Sequence, residues 1–354
     1  MSVSLVSFAR TFTASRARFR AAAERAGGVL ETFDHPLKGP NGEGLACDTA
    51  LFGSGSAPRM LVLVTGVHGV EHYSGSAGVS DWIERGKAQT LPDDTAVLVV
   101  HAINPWGAAW CRRYTEDNVD LARNFGAPGV PPPAHQAYED IHPELSSIQP
   151  GSVPAFLDAL FARLGDRDAV DALMSGQYSH ADGFSFGGTE PCWSHRTIET
   201  VLTVQARNAR SVCLVEFHSG LGDWGAAMPV TMQVGADLER VTRYFGEAVV
   251  APRAQHELHS APGHTTDGYM RFLAGKEVTS IVIETGTYPP RQSLEVMLED
   301  HWLHRQTNPD PAVAKRIREA NLEMHCPGDP AWEEKALQGS ARVIAQALNG
   351  LATS

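Results

Sequence analysis

Cysteine is scarce in this chain, and none stands where a bridge or a metal knuckle would need it. Only five occur in 354 residues (Cys47, Cys111, Cys192, Cys213 and Cys326), far apart and odd in number. No C-x-x-C pair is present, so neither a disulfide framework nor a cysteine zinc site is indicated, and a reducing cytoplasm is the expected setting. Long apolar runs are lacking too: none reaches the roughly 18 residues that a membrane span requires. Positive charge is in deficit, with 29 Lys and Arg against 41 Asp and Glu and a formal net charge of −12. The acidic residues are scattered rather than run together, which argues against non-specific nucleic-acid binding and for an ordinary protein without nucleic-acid or membrane partners. Repeats and low-complexity stretches are also missing, so no boundary divides the chain, and residues 1–354 read as one domain.

One local excess stands against that background. Met1 to Arg25 holds five arginines and no acidic residue before Glu24. Such composition mimics an organelle transit peptide. The favoured expectation is instead an amphipathic surface helix with Leu5, Phe8, Phe12 and Phe19 on its buried side.

What the chain does have is a set of short apolar runs rich in β-branched residues: Met60 to Val67, Ala96 to Ile103, Val212 to Phe217 and Val278 to Ile283. Each is too short for a buried helix and reads as an interior strand. Helical patterns lie between them, among them Ser76 to Arg85, Val153 to Leu164, Ala236 to Val250 and Pro311 to Met324. Strands apolar on both faces that alternate with helices predict an α/β fold, its mainly parallel sheet covered on both sides. Two stretches have little periodicity: 126–151, with Pro131, Pro132 and Pro133, and 176–191, with several glycines and aromatics. Both are expected to be long irregular loops.

Ligands of open α/β sheets bind outside the carboxyl ends of the strands, and polar residues gather there. The first strand runs into Thr65-Gly66-Val67-His68-Gly69-Val70-Glu71-His72. A histidine and a carboxylate three apart on a glycine-flanked turn can face one ion, and imidazole nitrogen with carboxylate oxygen suits zinc. The string also spells H-x-x-E-H, in which both histidines would be ligands on a helix. Gly66 and Gly69 flank His68 and a strand precedes it, so the turn is the preferred reading and His72 is expected to point away. A third strand ends in Glu216-Phe217-His218, and His218 completes a His, Glu, His set with a fourth position open, the pattern of a catalytic zinc. Histidines that could close the shell, His72, His101 and His264, have surface or supporting roles available to them. The last strand ends in Glu284; a carboxylate beside such a metal can take a proton from water and pass it to a leaving amine. The second strand leads to Asn104-Pro105-Trp106-Gly107, then Arg112-Arg113-Tyr114, then Asp120-Leu121-Ala122-Arg123-Asn124-Phe125. Guanidinium groups there suit stabilisation of an oxyanion and the grip of a substrate carboxylate.

In this order the motifs resemble the zinc carboxypeptidase superfamily: H-x-x-E, N-P-x-G, an arginine, D-x-N-R-N, a lone histidine and a late glutamate, from about residue 60 to 290. The resemblance implies a single-domain α/β/α sandwich with a mixed sheet of about eight strands. It also implies one zinc ion per chain and water-promoted attack on a peptide or amide carbonyl. Carried over, His68, Glu71 and His218 would bind zinc, Glu284 would be general base and acid, and Arg113, or else Arg112, would stabilise the oxyanion. Arg123, with Asn124 adjacent, would hold a substrate carboxylate, and Asp120 would buttress Arg113 or Arg123. The mobile tyrosine of carboxypeptidases falls near His259, with Tyr269 and Tyr288 as rival candidates. Ala122 stands where the family has asparagine, and the spacing from Arg113-Tyr114 to Arg123 is closer to the succinylglutamate desuccinylase and aspartoacylase branch. The expected activity is removal of a C-terminal residue from a small peptide. The alternatives are deacylation of an N-acyl amino acid and a catalytically silent zinc-binding protein.

Overall fold

The computed structural model describes residues 8–255 and 262–353; Leu5 and His259, both singled out above, lie outside them. In chain order the elements are α1 (Phe12–Arg25), β1 (Val29–Lys38), β2 (Gly44–Phe52), β3 (Arg59–Thr65), α2 (His72–Glu84), β4 (Thr95–His101), α3 (Pro105–Ala109), α4 (Gln136–Ser147), α5 (Val153–Leu164) and α6 (Asp166–Met174). They continue with α7 (Trp193–Gln205), β5 (Ser211–Gly220), β6 (Ala227–Val230), α8 (Gly235–Phe245), α9 (Thr265–Phe272), β7 (Glu277–Gly286), α10 (Pro290–His304), α11 (Pro311–His325) and α12 (Pro330–Ala352). The strands form one mixed sheet in the order β1-β2-β4-β3-β5-β7-β6.

The four apolar runs are the four central strands, β4-β3-β5-β7, and their three pairings are all parallel. Side chains alternate between the two faces of a strand, and here both faces are buried. Leu61 and Leu63 of β3, with Val97, Val99, Cys213 and Val215, pack against α1, α2, α8 and α12. Met60, Val62 and Val64, with Leu98, Val212 and Leu214, pack against α7 and α9. Two helical layers thus enclose the sheet. A third apolar cluster, from α4, α5, α6 and α10, gathers around Tyr114 and Phe184.

Several expectations change in detail. The described sheet has seven strands, and only half of its pairings are parallel, because β1 with β2, β2 with β4, and β6 with β7 run antiparallel. The 126–151 stretch is not irregular throughout: α4 occupies Gln136–Ser147 and buries Tyr138, Ile141 and Leu145. These lie at helical spacing, but Pro143 sits inside the helix and the proline run precedes it, which hid the pattern. The helix expected to reach Val250 stops at Phe245, where Gly246 takes a positive φ of 90°. Within the arginine-rich N-terminal segment, Phe12–Arg25 folds as an amphipathic helix. Phe12 and Phe19 are buried with Phe8, Arg16 and Arg20 pair with the buried Asp48, and Arg18 pairs with Glu84. All five cysteines are free. Among the described residues no helix is long and apolar enough to cross a membrane.

Candidate metal centre

The turn that carries His68 and Glu71 is shaped by glycine. Gly66 holds a φ of 79°, which an L side chain rarely adopts. At Gly69 a Cβ would lie 2.2 Å from the carbonyl carbon of Gly107, so only glycine lets this turn settle on the Asn104–Gly107 turn. Hydrogen bonds then tie it to the arginine pair: Gly69 N–H donates to Arg113 O (3.0 Å) and Val70 N–H to Arg112 O (2.8 Å). Cys111 and Asn118, just ahead of Arg112 and Asp120, hold left-handed backbone (φ 52° and 59°), a strained geometry that persists where the surroundings fix it. His72 opens α2 and faces inward, with Nδ1 3.1 Å from Thr65 Oγ1 and Nε2 3.2 Å from Ser15 Oγ.

Three stretches of chain converge on one point. His218 Nδ1 lies 2.9 Å from His68 Nδ1 and 2.8 Å from Glu71 Oε2, and His68 Nδ1 lies 2.9 Å from Glu71 Oε1. All three side chains are buried. The far nitrogen of each imidazole meets its own carboxylate: His68 Nε2 is 3.1 Å from Asp120 Oδ1, and His218 Nε2 is 2.5 Å from Glu216 Oε1. An imidazole that gives its Nε2–H to the carboxylate behind it turns its Nδ1 lone pair toward the shared point. Lone pairs this close repel unless a cation or a proton lies among them. Glu284 stands beside His218 in the parallel register of β5 and β7, half-buried, with Oε2 free of any described partner.

The charges make the same demand. Burial opposes ionisation of Glu71, yet the two imidazoles outweigh it and hold its carboxyl well below the usual range. Asp120 is likewise pulled down against its burial by Arg113 and His68. Glu216, also buried, is brought to about 2 by His218. Burial alone would lower His218, but Glu71 and Glu216 raise it well above the ordinary histidine value, so a positive charge is favoured at this point. Glu284 moves the other way, raised chiefly by burial. With every carboxylate ionised, Glu71, Asp120, Glu216 and Glu284 set four negative charges against the two of Arg113 and Arg123, and one divalent cation closes that gap. The donor set, two imidazole nitrogens and a carboxylate, fits zinc.

The sequence profile of the family described as Protein of unknown function (DUF2817) matches residues 8–339. The chain is a DUF2817 protein. No curated protein sequence matches it. Among solved structures it is similar to the carboxypeptidase A from Helicoverpa armigera, with a TM-score of 0.51 at 13% identity, covering 98% of this chain and 75% of that one. It also matches bovine thrombin-activatable fibrinolysis inhibitor in complex with a tick carboxypeptidase inhibitor (TM-score 0.49, 13% identity, 90% and 99% covered). A further match is the succinylglutamate desuccinylase from Chromobacterium violaceum (TM-score 0.39, 15% identity, 91% and 76% covered). The first of these shows the fold: the DUF2817 chain shares the α/β architecture of that carboxypeptidase A.

The other residues singled out in this DUF2817 sequence divide. Arg113 reaches the cluster, with Nη1 2.9 Å from Glu71 Oε1 and Nε 3.7 Å from Asp120 Oδ2. Arg112 points elsewhere, paired with the buried Asp300 at 3.0 Å and lying over the rings of Trp106 and Tyr114. Arg123 is buried and tethered to Ala122 O and Met174 O, with Nε free of described partners. It also lines a cleft of about 870 Å3 with the 126–133 segment, Tyr178 and Arg271. Asn124 departs from the expectation of a substrate contact. Its amide hydrogens go to Gly187 O and Glu190 O and its carbonyl accepts from Cys192 N–H, so it pins the 187–192 segment and has no hydrogen left for a ligand. Tyr288 bonds Glu323 and packs against Trp224. Tyr269 is buried and donates to Glu216 Oε2 at 2.7 Å. Tyr269, a candidate for the mobile tyrosine, instead forms a buried pair with Glu216 behind His218, a role that the sequence reading gave to neither residue. The signal for Glu216 was a carboxylate two positions before His218 on an otherwise apolar strand.

Proposed function

We propose that this chain is a zinc-dependent hydrolase of the metallocarboxypeptidase type that cleaves the C-terminal peptide bond of a small peptide. The observation that carries the reading is the convergence of His68 Nδ1, Glu71 and His218 Nδ1 within 2.8–2.9 Å of one another, with Glu284 next to His218 in register. One zinc ion held by those three residues would supply Lewis acidity, polarising a carbonyl and acidifying water. Glu284 takes the proton of the attacking water at its free oxygen, and its raised pKa lets it hand that proton on to the departing amine. Arg113, fixed between Glu71 and Asp120, donates to the oxygen on which negative charge develops. Arg123 attracts the substrate carboxylate.

A second reading, hydrolysis of an N-acyl amino acid, is favoured by the site's depleted carboxylate grip. Ala122 offers no amide, and that of Asn124 is taken up by the 187–192 segment. Both readings share the zinc and the base.

Elemental analysis tests what they share: wild type is expected to hold one zinc per chain and His218→Ala almost none. A panel of dipeptides and N-acyl amino acids then separates them, and Arg123→Ala is expected to raise KM by roughly 10- to 100-fold for the class whose carboxylate it holds. A zinc-loaded wild type that turns over nothing in the panel identifies a silent binding protein and overturns the catalytic reading.

A further inference from the structure

His218 is held from behind by a chain of hydrogen bonds that neither substrate reading uses. Glu216 and His218 lie two apart on β5 and so share one face of the strand. Glu216 Oε1 meets His218 Nε2, and Glu216 Oε2 accepts from the Tyr269 hydroxyl, which α9 delivers from the helical layer on that face. Glu216 and Tyr269 are each 1% exposed. A carboxylate costs several kcal/mol to bury unless its oxygens are satisfied, and here each oxygen has one partner.

The two ligand histidines differ in how their carboxylates are used. Asp120 serves His68 but also accepts from Ala122 N–H at 3.0 Å and lies against Arg113, so its charge is shared. Glu216 has a neutral phenol as its other hydrogen-bond partner, so His218 is the one imidazole it bonds, with the buried His264 close enough to feel its charge. Tyr269 in turn is buried with its ring against Phe125, and Phe125 itself comes so close to α9 that a Cβ at Gly268 would lie 2.2 Å from it.

We propose that Glu216, locked in place by Tyr269, is a positioning residue that sets the tautomer of His218 and its strength as a metal donor. The proposal rests on the zinc reading. Nε2–H donation to Glu216 leaves the Nδ1 lone pair aimed at the point shared with His68 and Glu71. The charge behind the ring also makes that lone pair more basic, and partners of this kind alter metal affinity by roughly 10- to 100-fold.

The test is a chelator-competition titration of zinc on the full chain for wild type, Glu216→Gln and Tyr269→Phe. It is combined with nitrogen-15 spectra of the His218 ring and the melting temperature of each metal-free protein. Glu216→Gln is expected to lose roughly 10- to 100-fold in zinc affinity and Tyr269→Phe roughly 3- to 10-fold, with the His218 tautomer mixed in the first. A variant that lowers the melting temperature but binds zinc within twofold of wild type marks a merely structural role and overturns the proposal. If Glu216→Gln does not fold, Tyr269→Phe decides alone, since it removes only a hydroxyl; wild-type affinity there overturns the proposal. A wild type without zinc affinity refutes the zinc reading itself, a separate result.

Discussion

Glu284 owes its place to backbone pairing rather than to a loop. The strand register puts it level with His218, so the proposed base is aimed by the same hydrogen bonds that build the sheet. Glu284→Gln keeps the shape and removes the proton acceptor; kcat is expected to fall roughly 10²- to 10⁴-fold while zinc content, measured on the same sample, stays at the wild-type level. Gly69→Ala tests the turn. Its Cβ would meet backbone at 2.2 Å, and backbone cannot yield as a side chain can, so a loss of about 3 kcal/mol in urea unfolding is expected. At this scale the candidate ligands and Glu284 stood out in the sequence because each lies at the end of a buried apolar run or in the turn after one, where a polar side chain needs a reason. The division of labour between Arg112 and Arg113 was not. Adjacent side chains diverge, and only the fold reveals that one faces Asp300 and the other Glu71. Nor was the commitment of Asn124, which depends on a segment more than sixty residues away.

Among the elements, α1 shows how a basic segment is made structural. Its arginines bind carboxylates on the sheet and on α2, with Asp48, fully buried, serving two of them and also accepting from Thr32. Asp48→Asn is expected to lower stability by about 1–2 kcal/mol, a modest value because Arg16 and Arg20 keep partial solvent contact; denaturant midpoints check it. The central strands could be read from apolar runs, whereas β1 and β2 could not. β1 lies at the sheet edge with mostly exposed side chains, and an edge strand offers no continuous apolar signal. The helix α4 was hidden for a different reason, an internal proline that tertiary packing tolerates.

For the molecule as a whole, buried histidines contribute to the response to acid. His101 is fully buried between Phe19 and Ser76, and burial lowers its pKa to about 3. The unfolded chain regains the ordinary value near 6.5, so between about pH 6.5 and 3 it binds a proton that the native state refuses. The sign follows: stability from this residue is complete above pH 6.5 and declines as pH falls, by about 1.4 kcal/mol per pH unit. His101→Gln is expected to flatten the fall in urea midpoint between pH 7 and 5 relative to wild type. Zinc bound as proposed would act on the same equilibrium, since binding to the native state alone would add about 2.7 kcal/mol at a hundredfold excess over Kd, and chelation is then expected to lower Tm.

The pairing of His218 with Glu284 has one more consequence. A one-residue slip between β5 and β7 would send one of the two side chains to the opposite face of the sheet, so a partially ordered chain cannot keep a fraction of the chemistry. The proposed catalysis is therefore expected to vanish with native structure over one and the same denaturant interval, with no early fading of turnover of the kind expected when working groups ride on loose loops.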